Sequence, residues 1–203
     1  MPERFTRRIY LPIAGVAFLL LAALWVYLMA YPPGRQPTGT GTALVGGPFT
    51  LVDHTGKRVT EATYRGKYML IFFGFTYCPD VCPTELQVMS AALDELGAAG
   101  EAIQPIFITV DPERDSPETM KAYVANFHPR MVGLTGSLEE ISAVAKAYRV
   151  YFKKSGEGDA YLMDHSSIVY LMDKEGKFLK HFTYSTDAKA LAKGLSEAIE
   201  AGG

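Results

Sequence analysis

Only two cysteines occur in 203 residues, and they stand four positions apart in Gly74-Phe75-Thr76-Tyr77-Cys78-Pro79-Asp80-Val81-Cys82-Pro83-Thr84. Thiols at that spacing bind soft metals or cycle between dithiol and disulfide. The competing use is a structural staple. A one-turn pair lies roughly 6 Å apart at Cα, inside the disulfide window. Such a bridge closes a loop of only a few residues, where cross-linking stabilises least, so a functional pair is the better reading. The flanking residues agree. Before the cysteines, the apolar, β-prone run 68–73 reads as a buried strand. After them, Leu86, Met89, Leu93 and Leu96 fall on one helical stripe that Gly97 ends, and Pro83 suits the first helical position. The thiols then sit on a strand-to-helix turn at the positive end of a helix dipole, which favours thiolate.

The elements that must hold this turn alternate in type. Residues 49–60 read as a β-hairpin with Gly56 in its turn, and 104–110 as a second buried strand. Ser116 caps a helix with Pro117 at its first position, running to about Phe127. A short strand follows at 131–134, then a helix opened by Ser137 with Glu140 as its capping-box partner. A flexible hairpin is expected at 153–159, a buried strand at 168–172, and an antiparallel partner at 178–184. Asp187 caps the last helix, ending near Ala201. Strands alternating with helices imply parallel βαβ units, and the closing hairpin an antiparallel edge. The expected class is α/β: a thioredoxin-like fold whose central mixed sheet is flanked by helices, with an N-terminal β-hairpin extension.

The chain departs from thioredoxins in two places. The dithiol is Cys-x3-Cys rather than Cys-x2-Cys, and the strand at 168 follows Asp164-His165-Ser166-Ser167, without the proline that thioredoxins place beside their thiols. His165 stands where the chain should pass the dithiol. Two thiolates and an imidazole make a ligand set in which sulfur selects Cu(I) and imidazole accommodates both copper states. Three segments, 74–84, Val-Asp-Pro-Glu-Arg-Asp-Ser-Pro-Glu at 110–118 and Asp-His-Ser at 164–166, resemble the SCO/SenC family over roughly 46–200. Its members are membrane-anchored, thioredoxin-fold copper chaperones for the Cu(A) centre of cytochrome c oxidase. The resemblance implies Cys78, Cys82 and His165 as copper ligands, and the Cu(A)-bearing subunit as partner. Tyr77 is a departure, since many members carry histidine there, but it is not a carried-over ligand.

Other polar residues have more local readings. Asp164 is a candidate to orient a ligand from behind, and Asp80 to hold the loop or meet a partner. The segment 111–118 reads as turn, cap or partner surface. His54 and His181 are expected on the surface, and His128 at a helix end, where a partly charged imidazole suits the dipole.

Composition bounds the rest. Hydrophobic residues make up 48% of the chain and net charge is −2, with no basic run in the soluble part, so nucleic acid is not an expected partner. Residues 9–30 carry no charge, and 22 helical residues reach about 33 Å, enough to span a bilayer. Arg4, Arg7 and Arg8 precede the run, placing residues 1–8 in the cytoplasm. The expected organisation is an uncleaved transmembrane anchor at 9–30, a Gly/Pro/Thr-rich tether at 31–47 and one domain at 48–203. In a bacterium that domain faces the periplasm from the inner membrane, where a dithiol needs a reductant or a bound metal to escape oxidation. The leading function is a copper chaperone rather than an enzyme, served by an upstream copper donor and a thiol reductant. The alternative is a membrane-tethered thiol–disulfide oxidoreductase. A peroxidase needs Thr three residues before its cysteine, not two, and a structural zinc site needs a fourth ligand.

Overall fold

The computed structural model describes residues 45–201, together with 20–23, Trp25, Tyr27 and Met29. The chain divides into two compact units, Met1–Thr42 and Ala43–Gly203. Most of the expected anchor, and the tether up to residue 44, lie outside the described residues. Those described in the anchor are helical, and Leu20, Leu21, Trp25, Tyr27 and Met29 are exposed. Among the described residues no helix is long and apolar enough to cross a membrane.

The second unit is built on a seven-stranded mixed sheet of order β2-β1-β5-β4-β3-β8-β9. β3 (Tyr68–Gly74) is buried at every position, as a strand covered on both faces must be. It pairs in parallel with β4 (Ile103–Thr109), which pairs in parallel with β5 (Val132–Thr135). On its other side β3 meets β8 (Ile168–Met172) antiparallel, and β8 meets β9 (Phe178–Thr183). The hairpin of β1 (Thr50–Asp53) and β2 (Arg58–Thr60) closes the far edge through β1 and β5. Gly56 takes φ 85° in its turn, a conformation that favours glycine.

Among the described residues, four α-helices complete the domain. α1 (Val81–Leu96) packs against α4 (Ala188–Ala201), α2 (Pro117–Val124) against β5, and α3 (Leu138–Ala147) against β1. The expected caps are present: Ser116 accepts from Thr119 N–H, Ser137 and Glu140 form a capping box, and Asp187 accepts from Ala190 N–H.

Three expectations need correction. α1 begins at Val81, so Pro83 is its third residue rather than its first. All first-turn amides lack intrahelical acceptors, so proline is tolerated there beyond the opening position. The hairpin expected at 153–159 extends further, as a two-stranded arm of β6 (Phe152–Ser155) paired with β7 (Leu162–His165). Its polar, exposed strand at 153–155 carries no alternating pattern for sequence reasoning to find. His54 is half-buried, and its Nδ1 accepts from Gly133 N–H at 3.1 Å, tying the hairpin turn to β5.

Candidate metal centre

The dithiol turn leaves the C-terminal end of β3 at Gly74 and enters α1 at Val81. Gly74 has a packing reason to be glycine. A Cβ there would lie 2.8 Å from Cys82 Sγ and 2.8 Å from Phe107 Cε2, so a side chain would evict the sulfur. Cys82 is fully buried and Cys78 half-buried, and both are free thiols. The amide of Cys82, an orphan donor of the first helical turn, points at Cys78 Sγ 3.4 Å away. Cys78 therefore caps α1 with its sulfur, in the place where Asp80 makes no side-chain cap bond.

This arrangement splits the two thiols. A hydrogen bond from the Cys82 thiol, joined by His165 and the amides of Cys82 and Asp80, draws the Cys78 pKa far below that of an ordinary thiol, against desolvation. That same hydrogen bond, together with burial, pushes Cys82 up. The surroundings thus favour thiolate at Cys78 and thiol at Cys82.

His165 arrives from the end of β7, opposite Phe152. Its ring stands edge-on to Phe72 of β3 and to Phe75 of the dithiol turn, with centroids 6.2 and 5.9 Å away. Nδ1 lies 3.1 Å from the carbonyl oxygen of Ser166. A carbonyl only accepts, so Nδ1 bears a proton directed at Ser166 and Nε2 is the nitrogen turned toward the sulfurs. Nε2 lies 3.6 Å from Cys82 Sγ, and the ligand atoms of Cys78, Cys82 and His165 all fall within 4.8 Å of one another. Ligands about 2.0–2.3 Å from a shared metal sit about 3.5–4 Å apart, so small side-chain movements suffice to close on one ion.

The remaining candidates lie further out. Asp164 is exposed, and alternation along β7 turns it to the opposite face from His165. The Ser166 carbonyl occupies the position behind the ring. Asp80 is exposed at the N-cap of α1. His181 is exposed, as expected. His128 differs from expectation: desolvation and the neighbouring Arg130 lower its pKa, despite Asp94, and Nδ1 accepts from Arg130 N–H. The ring is neutral because it is enclosed.

Sequence reasoning passed over the groups that support the turn. Asp115 is fully buried, and its carboxylate accepts from Thr76 N–H at 3.1 Å, Thr76 Oγ1 at 2.5 Å and Thr109 Oγ1 at 2.5 Å. It pins the dithiol turn to the end of β4. Glu85, one turn beyond Cys82 on the same buried face, is 2% exposed, and desolvation raises its pKa to about 7. A carboxyl three residues after the second cysteine was visible in the sequence, but its burial was not.

Fold and site together define a thioredoxin-like domain that brings two cysteine sulfurs and one imidazole close enough to hold a metal ion, where thioredoxins carry only a redox dithiol. A match to the SCO1/SenC family model extends over residues 37–200, and the chain belongs to that family. It is 46% identical over 167 residues to the mitochondrial SCO1 homolog 1 of Arabidopsis thaliana, covering 81% of this chain and 50% of that protein. The chain thus spans about half the length of that curated relative. The crystal structure of Arabidopsis thaliana ScoI with copper bound matches with a TM-score of 0.75 at 46% identity, over 77% of this chain and 99% of that one. BsSco, described with a disulfide switch as a member of the Sco family of cytochrome c oxidase assembly proteins, matches with a TM-score of 0.62 at 29% identity, over 76% and 93%.

Proposed function

We propose that this chain binds copper through Cys78, Cys82 and His165 and delivers it to the Cu(A) site of cytochrome c oxidase. The observation that carries the reading is the convergence of those three ligand atoms within 4.8 Å. Soft sulfur suits Cu(I), and the added imidazole lets the same site hold Cu(II). Three ligands leave a coordination position open to an acceptor's thiolates. Exposure sets the order of exchange: half-buried Cys78 and His165 are met first, and buried Cys82 releases last. Uptake expels the proton held on Cys82, and a disulfide between the two cysteines blocks it. An upstream copper donor and a thiol reductant complete the cycle.

In this proposal residues 9–30 anchor the chain in the inner membrane, residues 1–8 lie in the cytoplasm, and the 48–203 domain faces the periplasm on its tether. The uncharged run and its preceding arginines support it. A reporter active only outside the cytoplasm, fused after Gly203, should give signal. A mature N-terminus near Pro32 would show cleavage instead.

The asymmetric thiols favour a second reading, thiol–disulfide exchange. The Cys78 thiolate attacks an acceptor disulfide and expels one acceptor thiolate, and the deprotonated Cys82 then attacks Cys78 Sγ and expels the other. Two electrons pass to the acceptor, and the Cys78–Cys82 disulfide remains. His165→Ala separates the two. It should weaken copper binding, change the Cu(II) spectrum and fail to restore oxidase activity at low copper in cells lacking this protein. Full restoration by that variant, where Cys78→Ser fails, would replace the chaperone with the reductase.

A further inference from the structure

The geometry points to Arg114 as the positioning residue of the metal centre, the group that sets the distance between the dithiol turn and the arm carrying His165. This rests on the copper reading given above. Cys82 and His165 are separated by 83 positions in the chain. The arm is a separate two-stranded sheet, hydrogen-bonded to no strand of the main one. Strand pairing in the seven-stranded sheet reaches His165 only through Ser166 and Ser167, which join it to β8 beside β3. How close the imidazole stands to the sulfurs depends also on what holds the arm against the dithiol turn.

Arg114 touches both sides of the gap. Its guanidinium carbon lies 4.7 Å from the ring centroid of Tyr77, next to Cys78, and 3.6 Å from that of Tyr161, just before β7. The guanidinium thus lies against an aromatic ring of each ligand-bearing segment. Nη1 donates to the Tyr161 carbonyl at 3.0 Å, and Nε to Asp111 Oδ2 at 2.5 Å. The Tyr161 hydroxyl donates to the other oxygen of that carboxylate at 2.8 Å, so Asp111 grips the arginine and the arm together. The loop that carries Arg114 is itself fixed, because Asp115 is bonded to Thr76 and Thr109. A surface ion pair, Lys154 to Glu113, joins the same loop and arm, but an exposed pair contributes little.

The consequence differs between copper states. Both sulfurs lie on one turn, so Cu(I) held by two thiolates does not depend on the arm. Cu(II) needs the imidazole, and the imidazole rides on the arm. Loosening Arg114 should therefore cost Cu(II) selectively. A residue that merely stabilised the fold would weaken both states in step.

The test uses the full chain in detergent, with Arg114→Lys, Tyr77→Ala and, as a control away from the site, Arg58→Ala. Lysine keeps the charge but has neither the plane nor the fork. Arg114→Lys should lower Cu(II) affinity by about ten-fold or more, the usual range for groups that orient ligands, and shift the Cu(II) spectrum. Cu(I) affinity, measured by chelator competition, should stay within about three-fold, well below that range. In the metal-free protein, the amides of Leu162 and Asp164, which face β6 in the ladder, should exchange faster, with β3 unchanged. Tyr77→Ala should act in the same direction and less strongly. Tyr77 is 64% exposed, so that variant decides the matter even if Arg114→Lys fails to fold. An unaltered Cu(II) spectrum and affinity in the variants would overturn the assignment. So would parallel losses of Cu(I), Cu(II) and melting temperature. Wild-type protein that takes up no copper would refute the copper reading, and exchange in the metal-free arm would still decide the role of Arg114.

Discussion

Glu85 makes the stability of this domain depend on pH in a direction that can be worked out in advance. Its carboxyl is 2% exposed, and desolvation lifts its pKa from 4.5 to about 7. Between those values the unfolded chain has lost the proton and the folded one keeps it. Folding then binds a proton, so stability falls as pH rises through this window. The gap from 4.5 to about 7, at about 1.4 kcal/mol per pH unit, amounts to at most roughly 3–4 kcal/mol. Glu85→Gln places an uncharged isostere of the protonated acid in the same space. The variant should match wild type near pH 4.5, gain on it steadily up to about pH 7, and stay ahead by up to roughly 3–4 kcal/mol at pH 8. Denaturant unfolding of reduced, metal-free protein across pH 4.5–8 measures this, and the difference between the proteins cancels other titrating groups. A difference that does not change with pH would refute the reasoning, because it would mean that Glu85 ionises as freely in the fold as outside it.

The split between the thiols predicts unequal reactivity: with Cys78 drawn down to about 4, its alkylation rate should hold a plateau to about pH 5, while Cys82 stays unlabelled in folded protein. A rate falling ten-fold per pH unit below pH 9 would show an ordinary thiol. Gly74→Ala should displace Cys82, whose sulfur lies 2.8 Å from the added Cβ, and so weaken copper binding more than it lowers the melting temperature. Wild-type copper affinity in that variant would contradict the close packing. Together with His165→Ala and the reporter fused after Gly203, these probe each ligand's surroundings and the topology separately.

Much of this protein was legible in its sequence because local signals are strong where chemistry is concentrated. The spacing of Cys78 and Cys82, the apolar run before them and the stripe after them fix a strand, a turn and a helix without reference to anything distant. Ser116, Ser137 and Asp187 act as caps because capping is decided within three residues. That the two thiols meet an imidazole was also readable, since few residue types suit a soft metal and His165 stood where the chain should pass the dithiol.

Tertiary structure alone decided what depends on distance and burial. The N-terminal hairpin joins the sheet through β5, a partner that alternation within 49–60 cannot name. The arm of β6 and β7 is polar on its exposed strand and gives no periodic signal, yet it carries His165. Asp115 looked like part of a turn; three hydrogen bonds in a fully buried setting make it the clamp on the dithiol turn. The Ser166 carbonyl, not a carboxylate, sets the tautomer of His165. Glu85 and His128 owe their shifted pKa values first to desolvation, which no spacing encodes. A sequence states which groups are available for chemistry, while the dielectric around them and the distances between remote segments exist only once the chain has folded.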